Sequence, residues 1–230
     1  MYINLFDSHV HSDNSPEGRD LVTALCSAAV DKGISGICIT DACDMEEFEE
    51  QKYGKRLMYS CFAAHKAQDI FSQQLIVTNG VEMCQPLADP ERAVQVIGEN
   101  RFDFVLGSLH KTRKYGDMMM FNYAHPALDL QDVFRSYYEE LLEVVQWGHF
   151  DSLAHLGYPL RYLKPYNRTV DLAQIDDVFA EIMKSLVAQG KALELNTGGL
   201  RMKIEAFTPS NKYLQMYKDY GGEMITIGSD

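Results

Sequence analysis

The chain is poor in what would mark several function classes. It has a single Trp, 7 Pro and 5 Cys in 230 residues, and only 21 basic against 33 acidic residues, for a formal net charge of -12. An acidic balance of that size argues against a nucleic-acid-binding surface and against docking on anionic lipid. An anionic substrate would then need locally placed Arg or Lys. No apolar run approaches the length needed to span a bilayer, and the first residues lack the basic, apolar, small-residue order of a secretory signal. Cys26, Cys38, Cys43, Cys61 and Cys84 form no Cys-x-x-Cys pair and no disulfide framework, which leaves buried thiols in a reducing cytoplasm as the expectation. The 46% of hydrophobic residues suffices for one sizeable core, so a single domain over residues 1–230 is expected.

What is present starts with His9-Val10-His11, at the end of the first apolar run. On a strand, side chains repeat with period two, so two residues apart they share a face with Cα atoms about 6.6 Å apart. Two neutral imidazoles at that spacing can converge on one divalent ion. Alone the pair fits solvated or hydrogen-bonded histidines equally well.

Along the sequence, β-type runs alternate with helical patterns. Strands are expected at Ile3 to His11, Gly36 to Asp41, Leu75 to Met83, Phe102 to His110, Asp151 to Tyr158, Ala192 to Thr197 and Glu223 to Asp230, with helices near 19–32, 53–73, 89–99, 129–147, 171–189 and 209–220. Asp89-Pro90-Glu91 and Thr208-Pro209 read as helix starts, and Gly33, Gly190 and Gly221-Gly222 as stops. The longest non-regular stretch, Lys111 to Leu128, reads as an active-site loop. Seven βα units with mostly unbroken apolar strands predict an α/β fold with a parallel sheet closed into a TIM-barrel-like barrel.

Each expected strand carries a polar residue at or near its C-terminal end: His9 and His11, then Asp41, Glu82, His110, His155, Asn196 and Asp230. In a βα barrel those ends converge on one mouth, where active sites are built. Four imidazoles with several carboxylates make a mixed nitrogen and oxygen environment suited to Zn, Mn or Fe, and the missing thiolate pattern speaks against a structural Cys-type zinc site.

The series Asp7-Ser8-His9-Val10-His11-Ser12 with Ser15-Pro16-Glu17-Gly18, Ile39-Thr40-Asp41, Gly80-Val81-Glu82, Gly107-Ser108-Leu109-His110, Ala154-His155-Leu156 and Ile227-Gly228-Ser229-Asp230 resembles, in order, the motifs of the polymerase-and-histidinol-phosphatase (PHP) metallophosphoesterase family. Within it the sequence is most similar to the subgroup acting on histidinol phosphate, through stretches such as Phe102-Asp103-Phe104-Val105-Leu106-Gly107-Ser108, Tyr158-Pro159-Leu160-Arg161-Tyr162 and Leu193-Glu194-Leu195-Asn196-Thr197-Gly198-Gly199-Leu200-Arg201. The resemblance runs from the first residue to the last. It implies a distorted (β/α)7 barrel that hydrolyses a small phosphomonoester, L-histidinol phosphate, in histidine biosynthesis.

The resemblance further implies that His9, His11, Glu82 and Asp230 hold one ion while Glu82, His110 and His155 hold a second. Glu82 would then bridge the two, as a two-oxygen carboxylate can. A hydroxide shared between the ions would be the nucleophile, and the residues named catalytic are Asp230, Glu82 and His110, with Asp230 also able to accept a proton. Arg161 and Arg201 would contact phosphate, which their forked guanidinium geometry suits. Each also reads as an ordinary surface arginine paired with an acid. Tyr162 and Lys111 join the substrate-binding candidates by adjacency to Arg161 and His110.

Three departures from the family pattern bear on a third ion. Ala42 stands where His usually follows Thr-Asp, Glu17 stands where Asp is usual, and the series stops at Asp230 where a terminal His and a closing helix are expected beyond. Two ions are therefore expected, with the third site weak or absent, turnover impaired, and the C-terminus truncated. Cys43 and Cys84, each two residues from a strand-end acid, offer thiolate ligands as an alternative. His65, His125 and His149 read as structural or solvated, and Asp44 with Glu46, Glu47, Glu49 and Glu50 as a solvated face. Two other functions fit the same residues: hydrolysis of a different small phosphoester such as a sugar phosphate or nucleotide, and a catalytically silent metal-binding regulator.

Overall fold

The computed structural model describes residues 4–201 and 206–230. Its elements run β1 (Phe6–Val10), α1 (Val22–Asp31), β2 (Gly36–Ile39), β3 (Ala42–Asp44), α2 (Tyr53–Phe71), β4 (Ile76–Cys84), α3 (Pro90–Asn100), β5 (Phe104–Ser108), β6 (Lys111–Thr112), β7 (Gly116–Asp117), α4 (Leu130–Trp147), β8 (Ser152–Leu153), α5 (Asp176–Ala188), β9 (Ala192–Asn196), α6 (Gly198–Arg201), α7 (Asn211–Asp219) and β10 (Ile225–Gly228). Ile3, the expected first strand residue, lies outside the described residues.

The main sheet has the order β1-β2-β4-β5-β8-β9-β10, with β3 beside β4, and every pairing in it is parallel. β10 then comes round beside β1. There the Asp230 N–H donates to the His9 carbonyl at 2.8 Å, and the Ser229 N–H to Asp7 Oδ1 at 2.9 Å. The barrel is thus nearly closed, and the closing bonds fall beside the His-x-His residues.

Helices cover the outside because β2, β4, β5, β8 and β9 are buried on both faces, while β1 and β10 stay partly exposed, and every crossover must return over the sheet to start the next parallel strand. Their boundaries follow local chemistry. The Asp89 carboxylate accepts from the Arg92 N–H with Pro90 in the first turn of α3, and Asp129 accepts from the Gln131 and Asp132 N–H groups at the start of α4. Gly148, at φ +72°, ends α4 in the left-handed region. Two apolar clusters result: a large one under α3, α4, α5 and α7, and a smaller one where α1 and α2 cover β2 and the start of β4.

Four expectations need correction. The fifth strand is only Ser152–Leu153, because His155 sits at φ +20° and residues 158–166 wind into short 3-10 turns containing Pro159 and Pro165. The second splits at Thr40-Asp41 into β2 and β3. Thr208 starts no helix; it pairs with Asn196 through two backbone hydrogen bonds, and α7 begins at Asn211. The stretch after Lys111 contains the β6–β7 hairpin rather than being wholly irregular. Among the described residues no helix is long and apolar enough to cross a membrane.

Candidate metal centre

The strand ends bring four imidazoles onto one buried carboxylate. Glu82, 1% exposed near the end of β4, directs its two oxygens at different partners. Oε1 lies 2.8 Å from His155 Nε2 and 3.3 Å from His110 Nε2; Oε2 lies 3.6 Å from His11 Nε2 and 3.8 Å from His9 Nε2. Within each half the ring nitrogens face one another, His9 to His11 at 3.1 Å and His110 to His155 at 3.3 Å. Asp230 Oδ1 stands 3.8 Å from His9 Nε2 and 3.6 Å from His11 Nε2. His11 follows the last residue of β1, past an irregularity in the β1–β2 register, yet both rings still converge.

The donors fit divalent ions. The sets His9-His11-Glu82, Glu82-His110-His155 and His9-His155-Asp230 each place their candidate ligand atoms within 4.8 Å of one another. All are nitrogen or carboxylate oxygen, the ligands zinc, manganese and iron accept. Burial opposes charge on Glu82, but His110 beside it, the 2.8 Å hydrogen bond with His155 and the nearby His9 ring hold it well below the usual carboxylate range. For Asp230, burial is likewise outweighed by His9, His11, His155 and Arg161. Burial pushes His9 toward its neutral form, and the Glu194 and Asp230 carboxylates reverse this, leaving it well above an ordinary histidine. His155 goes the other way, because there burial prevails.

A cavity of about 1000 Å³ opens over these groups. Arg161 reaches it with its guanidinium 4.7 Å from the Tyr158 ring centroid and Nη2 3.0 Å from Asp230 Oδ2. Arg201 donates to the Ser229 carbonyl at 2.7 Å and the Asp230 carbonyl at 2.5 Å. Tyr162 and Glu17 also line the cavity, and Glu17 Oε2 lies 4.0 Å from His11 Nδ1 while accepting from Ser15 Oγ at 3.1 Å.

Lys111 is not brought to the cavity. Its ammonium is held by Asp44 at 3.2 Å, Glu46 at 3.1 Å and Glu47 at 2.5 Å, so three acids expected on a solvated face form a clasp around one lysine. Successive residues on extended backbone point to opposite sides, so a neighbour of His110 turns away from where His110 points. The thiolate alternative is also not supported. Burial pushes the Cys43 thiol up to about 12 and the Cys84 thiol well above its ordinary value, and neither joins a candidate ligand set among the described residues. His65, His125 and His149 are exposed, away from the centre.

Two groups at the centre are not foreseen by the sequence pattern. Arg19, expected within a helix, lies in the loop before α1 and lines the cavity. Glu194 is fully buried on β9, where its carboxylate accepts from His9 Nδ1 at 2.7 Å, the His155 N–H at 2.5 Å and Asn196 Nδ2 at 3.0 Å. A signal for it exists: an acid between Leu193 and Leu195 in an apolar strand must find buried partners. It also shares its strand face with Asn196, the polar residue at the end of the same strand.

A parallel βα barrel whose C-terminal mouth gathers a donor set able to hold divalent ions defines the class. The protein belongs to the PHP family: the PHP domain model matches residues 7–198. It is 29% identical over 98% of its length to a Thermotoga maritima protein named "Probable histidinol-phosphatase", covering 83% of that protein. To the histidinol-phosphatase of Lactococcus lactis it is 28% identical, with 97% of this protein and 82% of that one aligned. The crystal structure of the Lactococcus lactis histidinol phosphate phosphatase, complexed with zinc, L-histidinol and phosphate, superposes with a TM-score of 0.81 at 26% identity, covering 99% of this protein and 86% of that one.

Proposed function

We propose that this protein is a single-domain, cytoplasmic metal-dependent phosphomonoesterase that hydrolyses L-histidinol phosphate to L-histidinol and phosphate. The carrying observation is the division of Glu82, one oxygen toward His9 and His11 and the other toward His110 and His155, beneath a cavity rimmed by arginines. The relative crystallised with zinc, L-histidinol and phosphate supports the choice of substrate and of zinc.

His9, His11, Glu82 and Asp230 would hold one ion and Glu82, His110 and His155 the other. Bound there, the ions would supply Lewis-acid polarisation of the phosphoryl oxygens and ready ionisation of water near neutral pH.

The protein's own residues do the rest. Arg161 and Arg201 grip the phosphoryl group, and Arg19 extends that positive rim outward. Tyr158 braces this machinery twice, under the Arg161 guanidinium and stacked 4.5 Å from the His110 ring. Asp230, between Arg161 and the two histidines, is placed to accept a proton. Glu17 and Asp20 at the cavity wall suit the substrate's ammonium group. Ala42 is buried and offers only a methyl, so the complement is two ions with a weak or absent third, and turnover is reduced accordingly.

Phosphate release measured on zinc-loaded protein with L-histidinol phosphate, sugar phosphates and nucleotides tests the reading. Turnover of histidinol phosphate well above the panel is expected. Efficient turnover of another ester with none of histidinol phosphate would replace the substrate, and no turnover of any ester would end the enzyme reading. Ala42→His should raise metal content and turnover together; no change in either would refute the account of the third site.

A further inference from the structure

We propose that Glu194 is a positioning residue for the whole metal centre: one buried carboxylate that orients the His9 ring, fixes the main chain at His155 and, through Asn196, sets the Asp230 carboxylate. The inference rests on the reading that these three residues ligate metal.

Glu194 is 0% exposed, and its two oxygens divide the work. Oε1 lies 2.7 Å from His9 Nδ1, so that nitrogen keeps a proton and Nε2 is the atom presented toward Glu82 and Asp230, where it can bind metal once its own proton has left. Among the described residues, His9 is the one ligand candidate whose distal ring nitrogen meets a carboxylate at hydrogen-bond distance; His11 Nδ1, with Glu17 no nearer than 4.0 Å, and His155 Nδ1 are buried without a hydrogen-bond partner. Oε2 accepts the His155 N–H at 2.5 Å, at the residue whose φ of +20° takes the backbone out of the sheet ladder and swings its ring to Glu82. Such a backbone conformation is costly for a residue with a side chain and persists only where its surroundings hold it.

The link to Asp230 is made by a single amide. Asn196 Nδ2 donates to Glu194 Oε2 at 3.0 Å and to Asp230 Oδ2 at 3.1 Å, while its Oδ1 accepts the Gly198 N–H at 3.0 Å, so the amide is satisfied and cannot turn over without losing bonds. Residues from β1, the end of β8 and the end of β10 are thereby registered against one group on β9. The fold makes room for it: a Cβ at Gly228 would lie 2.1 Å from Glu194 Oε1 and 2.5 Å from His9 Cβ. The glycine on β10 is thus the recess in which this carboxylate sits. Carboxylates behind metal-bound histidines fix tautomer and ring orientation, and their loss typically costs about 10–100-fold in metal affinity.

The test is zinc binding by Glu194→Gln, a nearly isosteric change, in the full-length protein, with competition against a chromophoric chelator reading both ions. Unfolding of the zinc-free protein and ¹⁵N spectra of the histidine rings are read alongside. Expected are a zinc affinity lower by at least tenfold for both ions, a zinc-free unfolding midpoint that falls by less than the zinc-loaded one, and, in the zinc-loaded protein, loss of the single Nδ1-protonated form of His9. Gly228→Ala, which pushes the carboxylate from its recess, should weaken zinc in the same direction. Zinc affinity within twofold of the parent in Glu194→Gln would overturn the proposal, as would a zinc-free midpoint that falls as far as the zinc-loaded one, which marks a role in folding alone. A parent protein that binds zinc but leaves histidinol phosphate intact would refute the proposed substrate and leave this inference standing. A parent that binds no zinc would overturn both.

Discussion

Two carboxylates at the ends of neighbouring strands, Glu82 and Asp41, are each 1% exposed and look alike in the sequence, yet the structure gives them opposite lives. Asp41 accepts from the Ser12 N–H and Ser12 Oγ, both at 2.6 Å, and from Ser60 Oγ at 2.5 Å, so ordinary donors from the first loop and α2 saturate it. Among the described residues, the Glu82 carboxylate meets only imidazole nitrogens. One acid is spent on tying the His-x-His loop to the barrel; the other is left for chemistry. Position at a strand end admits a carboxylate to the mouth, and its neighbours decide what it does there.

That contrast can be broken at either end. Replacing Glu82 by Gln removes the charge shared by four imidazoles; with several kcal/mol of electrostatic stabilisation withdrawn, steady-state phosphate release should fall by about three orders of magnitude while circular dichroism stays unchanged. Asp41→Asn should do the reverse. It places an NH2 against hydroxyl donors at a cost of about 2–3 kcal/mol, lowering the thermal midpoint by roughly 5–10 °C with metal content preserved. Loss of zinc from the Asp41 variant at full stability would erase the distinction.

A smaller effect is expected at Arg161→Lys, which keeps a charge but loses the fork and the stacking on Tyr158. KM for histidinol phosphate should rise about tenfold, a difference of about 1.4 kcal/mol, with zinc content retained.

Acid should weaken the centre gradually. His9 is raised above the ordinary histidine range in the metal-free protein, so its proton must leave before zinc can bind Nε2. Zinc affinity therefore climbs with pH through and above neutrality and collapses as pH falls, by about tenfold per pH unit for each proton displaced, measurable by chelator competition at several pH values. The least change is expected at Lys111→Met. Its carboxylate clasp lies apart from the cavity, so kcat and KM should move by less than about twofold.

Much of this is legible in the sequence because parallel barrels write themselves plainly: apolar strands, capped helices, and a polar residue where each strand meets the mouth. His9, His11, Glu82, His110, His155 and Asp230 do meet, because the fold forces strand ends together. What stays hidden depends on local geometry that periodicity does not carry. The turn at His155, which cuts β8 short, arises where backbone leaves the ladder to meet the Glu194 carboxylate, and the second strand breaks at Thr40-Asp41, where the Asp41 side chain binds the Ser12 N–H of the first loop. Lys111 is a candidate only for being next to His110, and on extended backbone adjacency points the wrong way. Glu194 escapes notice because a lone acid inside an apolar strand does not disclose its partners until the strands beside it are known.

The central claim, that Glu82 spans two ions, is tested most directly by anomalous scattering at the zinc edge from crystals of the zinc-loaded protein. Two peaks about 3.5–4 Å apart, one beside His9 and His11 and the other beside His110 and His155 with Glu82 between them, are predicted. A single peak, or ions bound without contact to Glu82, would contradict it.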